Sequence, residues 1–170
     1  MRVLVCGGRG FVGSYAGKAL MEHGHEVKSF DIVDNEDILK YDQLEVAVKM
    51  FEPNWIIHLA GQVNLAPSLS NPQNDAMINI VGTLNVLEMA RRHNLGVTFS
   101  SSGAVYGNNY QYPEPVSPYG LSKLCAETYC RLYNKLYSTN TVVFRFSSVY
   151  GKGRAPTSIN LIVKRAMNGE

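Results

Sequence analysis

The stretch Arg2-Val3-Leu4-Val5-Cys6-Gly7-Gly8-Arg9-Gly10-Phe11-Val12-Gly13 decides the fold. Four consecutive apolar residues, Val3 to Cys6, read as a strand buried on both faces. They run straight into G-x-x-G-x-x-G, with glycines at 7, 10 and 13, and then into helical spacing over 11–23. Glycine at 7 permits a tight turn, at 10 it lets a ligand approach the backbone, and at 13 it lets the helix pack close to the strand. A helix start of this kind offers amides and partial positive charge to an anion, so Gly7, Gly10 and Gly13 point to a bound pyrophosphate. A second strand, 26–31, ends on Asp31. Its carboxylate accepts from an adenosine ribose and repels a 2′-phosphate, which favours NAD over NADP. Arg9 is the opposing sign, because a guanidinium there can meet a 2′-phosphate.

Further along, short apolar runs alternate with helical patterns. Residues 37–39 read as a short third strand, 42–51 as a helix ending before Pro53, and 55–59 as a continuous apolar strand. Asn71-Pro72 starts a helix, with Asn as cap and Pro in the first turn. It runs over 72–93 with Met77, Ile80, Val81, Leu84 and Leu87 on one stripe. Strands at 97–100 and 142–146 and helices at 118–136 and 157–168 complete the pattern. Strands alternating with helices specify an α/β fold, a parallel sheet covered by helices on both faces.

The chain has 170 residues, 45% hydrophobic and 18% charged, with a formal net charge of +2. That suits one domain of about 150 residues and excludes disorder, collagen and a disulfide scaffold. The charged fraction lies below the roughly 25% of ordinary soluble domains, which suggests surface reserved for a partner subunit or a further domain. No Lys/Arg run makes a nucleic-acid patch. Three cysteines, Cys6, Cys125 and Cys130, without a C-x-x-C read as reduced thiols, with no disulfide and no metal site. No stretch reaches about 18 apolar residues, so a soluble, cytoplasmic protein is expected.

Tyr119 and Lys123 stand four apart in a segment opened by Ser117-Pro118, which places both on one helix face. A free Tyr titrates near ~10 and is a poor base at neutral pH. A cation one turn away and the helix dipole both favour its phenolate. Ser100-Ser101-Ser102 ends a strand, where ligands sit in open α/β sheets.

With these motifs in place, the sequence resembles the extended short-chain dehydrogenase/reductases, the nucleotide-sugar epimerases and dehydratases. The resemblance rests on GGRGFVG at 7–13, Asp31, Asp37-Ile38, His58-Leu59-Ala60-Gly61, Asn79-Ile80-Val81-Gly82-Thr83, FSSSGAVYG at 99–107, YGLSK at 119–123 and RFSSVYG at 145–151. It is nearest to the UDP-glucose 4-epimerase-like members and implies a doubly wound Rossmann sheet of six strands, order 3-2-1-4-5-6. It implies NAD as cofactor, with Gly7, Gly10, Phe11, Val12 and Gly13 around the pyrophosphate and Asp31 on the adenosine ribose. Asp37 and Ile38 would flank the adenine; Leu59, Ala60, Gly61, Asn79 and Ser100 would line the rest of the cofactor site. Tyr119 would be the acid/base. Lys123 would hold the nicotinamide ribose and lower the Tyr119 pKa, and Ser102 would hydrogen-bond the reacting oxygen. His58 reads as a buried structural histidine.

The implied reaction is transient oxidation of a sugar hydroxyl on a nucleotide-sugar, a UDP-sugar being the expected substrate. Gly103 and Ala104 stand where 4,6-dehydratases carry an Asp-Glu pair, which argues against that elimination. By the same resemblance, residues 1–170 form the NAD-binding domain and the family's C-terminal substrate domain is missing. Apolar surface should therefore be exposed, with poor solubility or self-association. Ser148 replaces a substrate-side Asn. The helices 72–93 and 118–136 suggest a homodimer, although their stripes could equally pack on the sheet. Two alternatives stay open: a truncated NAD-binding module without turnover, and an assembly protein that keeps the fold.

Overall fold

Val3, Leu4, Val5 and Cys6 are all buried, as an unbroken apolar run requires of a strand covered on both sides. This strand, β1 (Arg2–Cys6), pairs with β2 (Glu26–Phe30) on one side and β3 (Trp55–His58) on the other. Beyond β3 lie β4 (Gly96–Ser102) and β5 (Thr141–Phe146), giving a five-stranded parallel sheet of order β2-β1-β3-β4-β5. The structure is a computed structural model and describes residues 1–109, 111–153 and 158–169.

The helices are α1 (Phe11–Glu22), α2 (Tyr41–Phe51), α3 (Leu65–Ser70), α4 (Pro72–Ala76), α5 (Gly82–His93), α6 (Pro118–Tyr137) and α7 (Ser158–Met167). The chain steps outward from β1 to β2, then returns past β1 to β3. Right-handed crossovers therefore put α1 on one face and the layer of α2, α5 and α6 on the other. Leu4 and Cys6 of β1 join Leu44 and Val48 of α2, Val86 and Leu87 of α5, and Ala126 and Cys130 of α6 in one core. On the opposite face α1 buries only Gly13 and Gly17, so its backbone lies close to the sheet.

The expected α/β architecture holds, with three corrections. Residues 37–39 form a turn, so the sheet has five strands; their order is the expected one with that strand left out. An Asp37 carboxylate oxygen accepts from the Leu39 amide at 2.9 Å and the Asp37 carbonyl from the Lys40 amide at 2.9 Å, which takes up groups a strand would need. Next, the helix 72–93 is continuous but contains a π turn, Met77–Val81, and its apolar stripe is only partly turned inward. Met77 and Val81 are exposed, whereas Asp75, Asn79 and Thr83 are buried with Leu87. Hydrogen bonding, not hydrophobicity, selects the inward face there. Finally, the cover on the α1 face stops short of β5, which exposes Val142, Phe144 and Phe146 on alternate positions. The helix Leu65–Ser70 has no counterpart in the sequence reading, and position 157 of the last expected helix lies outside the described residues. All three cysteines are free, Cys6 and Cys130 buried.

Strand β5 is tied to α6 by a two-pronged ion pair. Arg145 donates from Nε and Nη2 to the two carboxylate oxygens of buried Glu127 at 2.8 and 2.7 Å. Burial opposes ionisation of Glu127, but Arg145 and Ser101 overcome it and hold the carboxyl below its ordinary value of 4.5. A carboxylate with a depressed folded pKa contributes stability above its unfolded value and loses it as the pH falls. Acidification should therefore begin to erode this contribution below about pH 4.5. Arg145→Met, which strands Glu127, is expected to cost about 2 kcal/mol, read from the urea midpoint. An unchanged midpoint would show that the pair does not hold β5 in place.

Candidate functional site

The site lies at the carboxyl ends of the strands, where the sheet order reverses between β1 and β3. Gly7 follows β1 with φ +82° and donates its amide to the Phe30 carbonyl at 2.8 Å. A Cβ on Gly7 would stand 2.6 Å from the Ala60 nitrogen, and one on Gly13 would strike the Gly7 carbonyl oxygen. Three pieces of backbone thus meet without side chains between them. Gly10 caps α1 in an extended conformation, so the first amides of a 12-residue helix face the crossing.

A cavity of about 630 Å³ opens there. Its walls carry Gly7, Gly10, Phe11, Val12, Gly13, Asp31, Asp37, Ile38, Leu59, Ala60 and Gly61, the expected cofactor set without Asn79, Ser100, Tyr119 and Lys123. Asp31 stands at one end with its two carboxylate oxygens accepting from the Arg9 and Val33 amides at 2.8 and 3.1 Å. Ile38 is anchored against Gly82, where an added Cβ would lie 2.5 Å from its Cδ1, and its carbonyl accepts from Asn85 at 2.9 Å.

A second cavity of about 560 Å³ shares Val12, Leu59 and Val63 with the first. It brings together Ser100, Ser102, Tyr119 and Lys123. Ser117 caps α6 by accepting from the Gly120 amide at 3.1 Å, and Pro118 opens the helix, so Tyr119 sits in its first turn. Ser102 ends β4 and accepts from the Ala104 amide at 3.1 Å, which leaves its hydroxyl hydrogen to donate. Ser100 donates its hydroxyl to the His58 carbonyl at 3.0 Å, and its own carbonyl accepts from Lys123 Nζ at 3.0 Å.

Electrostatics depart from the expectation for Tyr119. Burial raises its pKa, Ser102 works the other way, and the charge of Asp75 adds to the rise. The phenol therefore rests protonated, and Lys123 is not the group that sets it. Lys123 is itself brought down to about 8 by burial, with Asp75 and Cys130 pulling upward. His58 falls to about 3 through burial and the nearby Lys123 charge; its Nε2 lies 3.1 Å from Thr83 Oγ1. A neutral, buried His58 is the structural residue the sequence suggested.

Asn79 lines neither cavity. It is buried behind Gly61, and a Cβ added to Gly61 would lie 2.8 Å from its Oδ1 and 3.3 Å from Lys123 Nζ. Asn79 Oδ1 accepts from the Gln62 amide at 3.0 Å, and Nδ2 reaches the Gln62 carbonyl, Asp75 and Ser122 at 3.0, 3.1 and 3.1 Å. Ser122 passes the link to the Tyr119 carbonyl at 3.0 Å. Gln62 Nε2 joins Asp75 at 2.8 Å, and the second oxygen of Asp75 is buried without a hydrogen-bond partner. Gln62, Asp75 and Ser122 are the members of this network to which sequence reasoning gave no role. The usable signal was the strict four-residue spacing of polar Asp75, Asn79 and Thr83.

The model of the NAD-dependent epimerase/dehydratase family matches residues 3–170. The chain belongs to that family. The Thermus thermophilus UDP-glucose 4-epimerase in complex with NAD superposes with a TM-score of 0.89 at 30% identity, covering 99% of this chain and 63% of that one. The Thermotoga maritima UDP-glucose 4-epimerase with UDP-glucose gives 0.89 and 30%, covering 100% and 64%. UDP-glucose 4-epimerase of Mycolicibacterium smegmatis is 31% identical over 92% of this chain. The chain spans between 44% and 61% of the length of the curated relatives it matches. The family is NAD-dependent, and the residues present fit that dinucleotide: glycines stand wherever a Cβ would fill the crossing, and a carboxylate closes one end.

The buried Lys123 ammonium should titrate near 8, below the ordinary lysine value of 10.5, in a pH series of its ¹³Cε NMR signal. Because Asp75 raises that value, Asp75→Asn is expected to lower it further. A value that stays fixed or climbs in the variant would remove Asp75 from the electrostatics of Lys123.

Proposed function

We propose that this chain is the NAD-binding domain of a nucleotide-sugar epimerase that oxidises and re-reduces one sugar hydroxyl carbon, with a UDP-sugar as substrate. The observation that carries the reading is the convergence of Ser102, Tyr119 and Lys123 on a cavity continuous with the glycine-lined one. The relatives named as UDP-glucose 4-epimerases support the substrate class.

In this reading Gly7, Gly10 and Gly13 make room for the pyrophosphate, and the Phe11 and Val12 backbone faces it. Asp31 holds the adenosine ribose, and Asp37 and Ile38 border the adenine. Leu59, Ala60, Gly61 and Ser100 flank the nicotinamide half, and Asn79 positions Gly61 and α6 from behind. When bound, oxidised NAD supplies the hydride acceptor. To act as base Tyr119 must first lose its own phenol proton to solvent; the phenolate then takes the proton of the sugar hydroxyl and returns it after the carbon is reduced on its other face, so no net oxidant is consumed. Ser102 donates a hydrogen bond to the same oxygen. Lys123, held by the Ser100 carbonyl, keeps further N–H donors for the ribose. Gly103 and Ala104 carry no proton to give, which sets elimination aside.

Exposed Met77, Val81, Leu121 and Leu132 support a homodimer built on 72–93 and 118–136. The free cysteines suit the reducing cytoplasm, and no helix among the described residues is long and apolar enough to cross a membrane.

NADH titrated calorimetrically should bind the chain, and interconversion of UDP-glucose and UDP-galactose should fall roughly 10²–10⁴-fold in kcat in Tyr119→Phe. Binding without turnover would leave an NAD-binding module. An unchanged rate in the variant would remove Tyr119 from the chemistry.

A further inference from the structure

The end of the larger cavity near Asp31 is crowded with negative charge. Asp31, Glu36 and Asp37 line it, and Arg9 is the one Lys or Arg among its described lining residues. That guanidinium is already committed. Arg9 Nε donates to Asp34 Oδ2 at 2.8 Å and Nη2 donates to Asp34 Oδ1 at 3.0 Å. Asp34 ends the single turn Ile32–Asp34, which Asp31 opens by accepting from the Val33 amide. The other oxygen of Asp31 accepts from the Arg9 amide. Arg9 is therefore joined to this turn twice, through its backbone to Asp31 and through its side chain to Asp34.

Stability does not account for the pair. The Arg9 and Asp34 side chains are 59% and 36% exposed, and exposed ion pairs contribute little to folding. Geometry is what it fixes: a fork-to-fork contact occupies two donors of the guanidinium and sets its direction. Those are the donors with which an Arg at the mouth of an adenosine pocket would grip a phosphate.

We propose that Asp34 is a specificity-determining residue for the cofactor: by occupying Arg9 it withholds the cation that would receive a 2′-phosphate, so that Asp31 and Asp34 together admit NAD and exclude NADP. The inference rests on the reading that a dinucleotide lies in this cavity with its adenosine ribose at Asp31. A 2′-phosphate would bring nearly two negative charges against Asp31, Asp34 and Glu36, and the nearest cation would already be neutralised. With Asp34 uncharged, Arg9 is released while Asp31 still repels, so the gain is bounded.

The test titrates NADH and NADPH separately into the chain and follows nicotinamide fluorescence. The proteins are the unsubstituted chain, Asp34→Asn, Asp34→Ala, and Asp34→Ala combined with Arg9→Ala, each checked for its thermal transition. The Kd for NADPH should fall about tenfold in both single variants, the size of one charge-assisted phosphate contact, and return to its starting value in the double variant. An NADPH Kd that moves less than about twofold in both single variants overturns the proposal, being under 0.5 kcal/mol. So does a gain that survives removal of Arg9. Failure of NADH to bind the unsubstituted chain overturns the cofactor reading beneath it, and an NADH-binding chain without the NADPH gain overturns the role of Asp34 alone.

Discussion

The whole arrangement depends on a close approach of backbone to backbone at the reversal of the sheet. Gly7, in a left-handed conformation at φ +82°, lies where a Cβ would stand 2.6 Å from the Ala60 nitrogen. Gly13 touches Gly7 so closely that a Cβ would strike its carbonyl oxygen. This packing fixes three things at once: the exit of β1, the entry of α1 and the segment after β3. Because no side chain fills the crossing, a cavity opens over the helix start. A bulkier residue at either position would push α1 off the sheet and close the space in the same movement.

From the crossing a polar scaffold reaches the second cavity. Gln62 follows Gly61, and Asn79 binds both its amide and its carbonyl. Asn79 also reaches Ser122, whose hydroxyl holds the Tyr119 carbonyl in the first turn of α6. Buried polar groups are costly unless they are paired, and nearly all of these are. The unpartnered oxygen of Asp75 is the departure from that rule, and it belongs to the carboxylate whose charge bears on both Tyr119 and Lys123. The π turn at Met77–Val81 lies within this scaffold, where a widened turn lets Asp75, Asn79 and Thr83 stack at four-residue steps.

Much of this was legible in the sequence, because the determining features are local. The apolar run at Val3–Cys6, the glycine spacing after it and the Ser117-Pro118 helix start each act within a few residues, and each appears as read. What stayed hidden depends on partners distant in the chain. Residues 37–39 have apolar content enough for a strand, but Asp37 closes a turn on itself. Met77 and Val81 are apolar and outward, because inward Asp75 and Asn79 find their partners on Gln62 and Ser122. The charge state of Tyr119 is hidden for the same reason: spacing shows the cation at i+4, but not how deeply both groups are buried or that Asp75 stands near them.

The central claim is that a dinucleotide lies on the start of α1. It is tested most directly by ¹⁵N–¹H NMR of the chain during addition of NAD. The account predicts that the largest amide shifts fall on Gly10 to Gly13 and on Ala60 and Gly61, across the crossing. Saturating NAD that leaves those amides unmoved, or that shifts instead the bare face of β5, would contradict it.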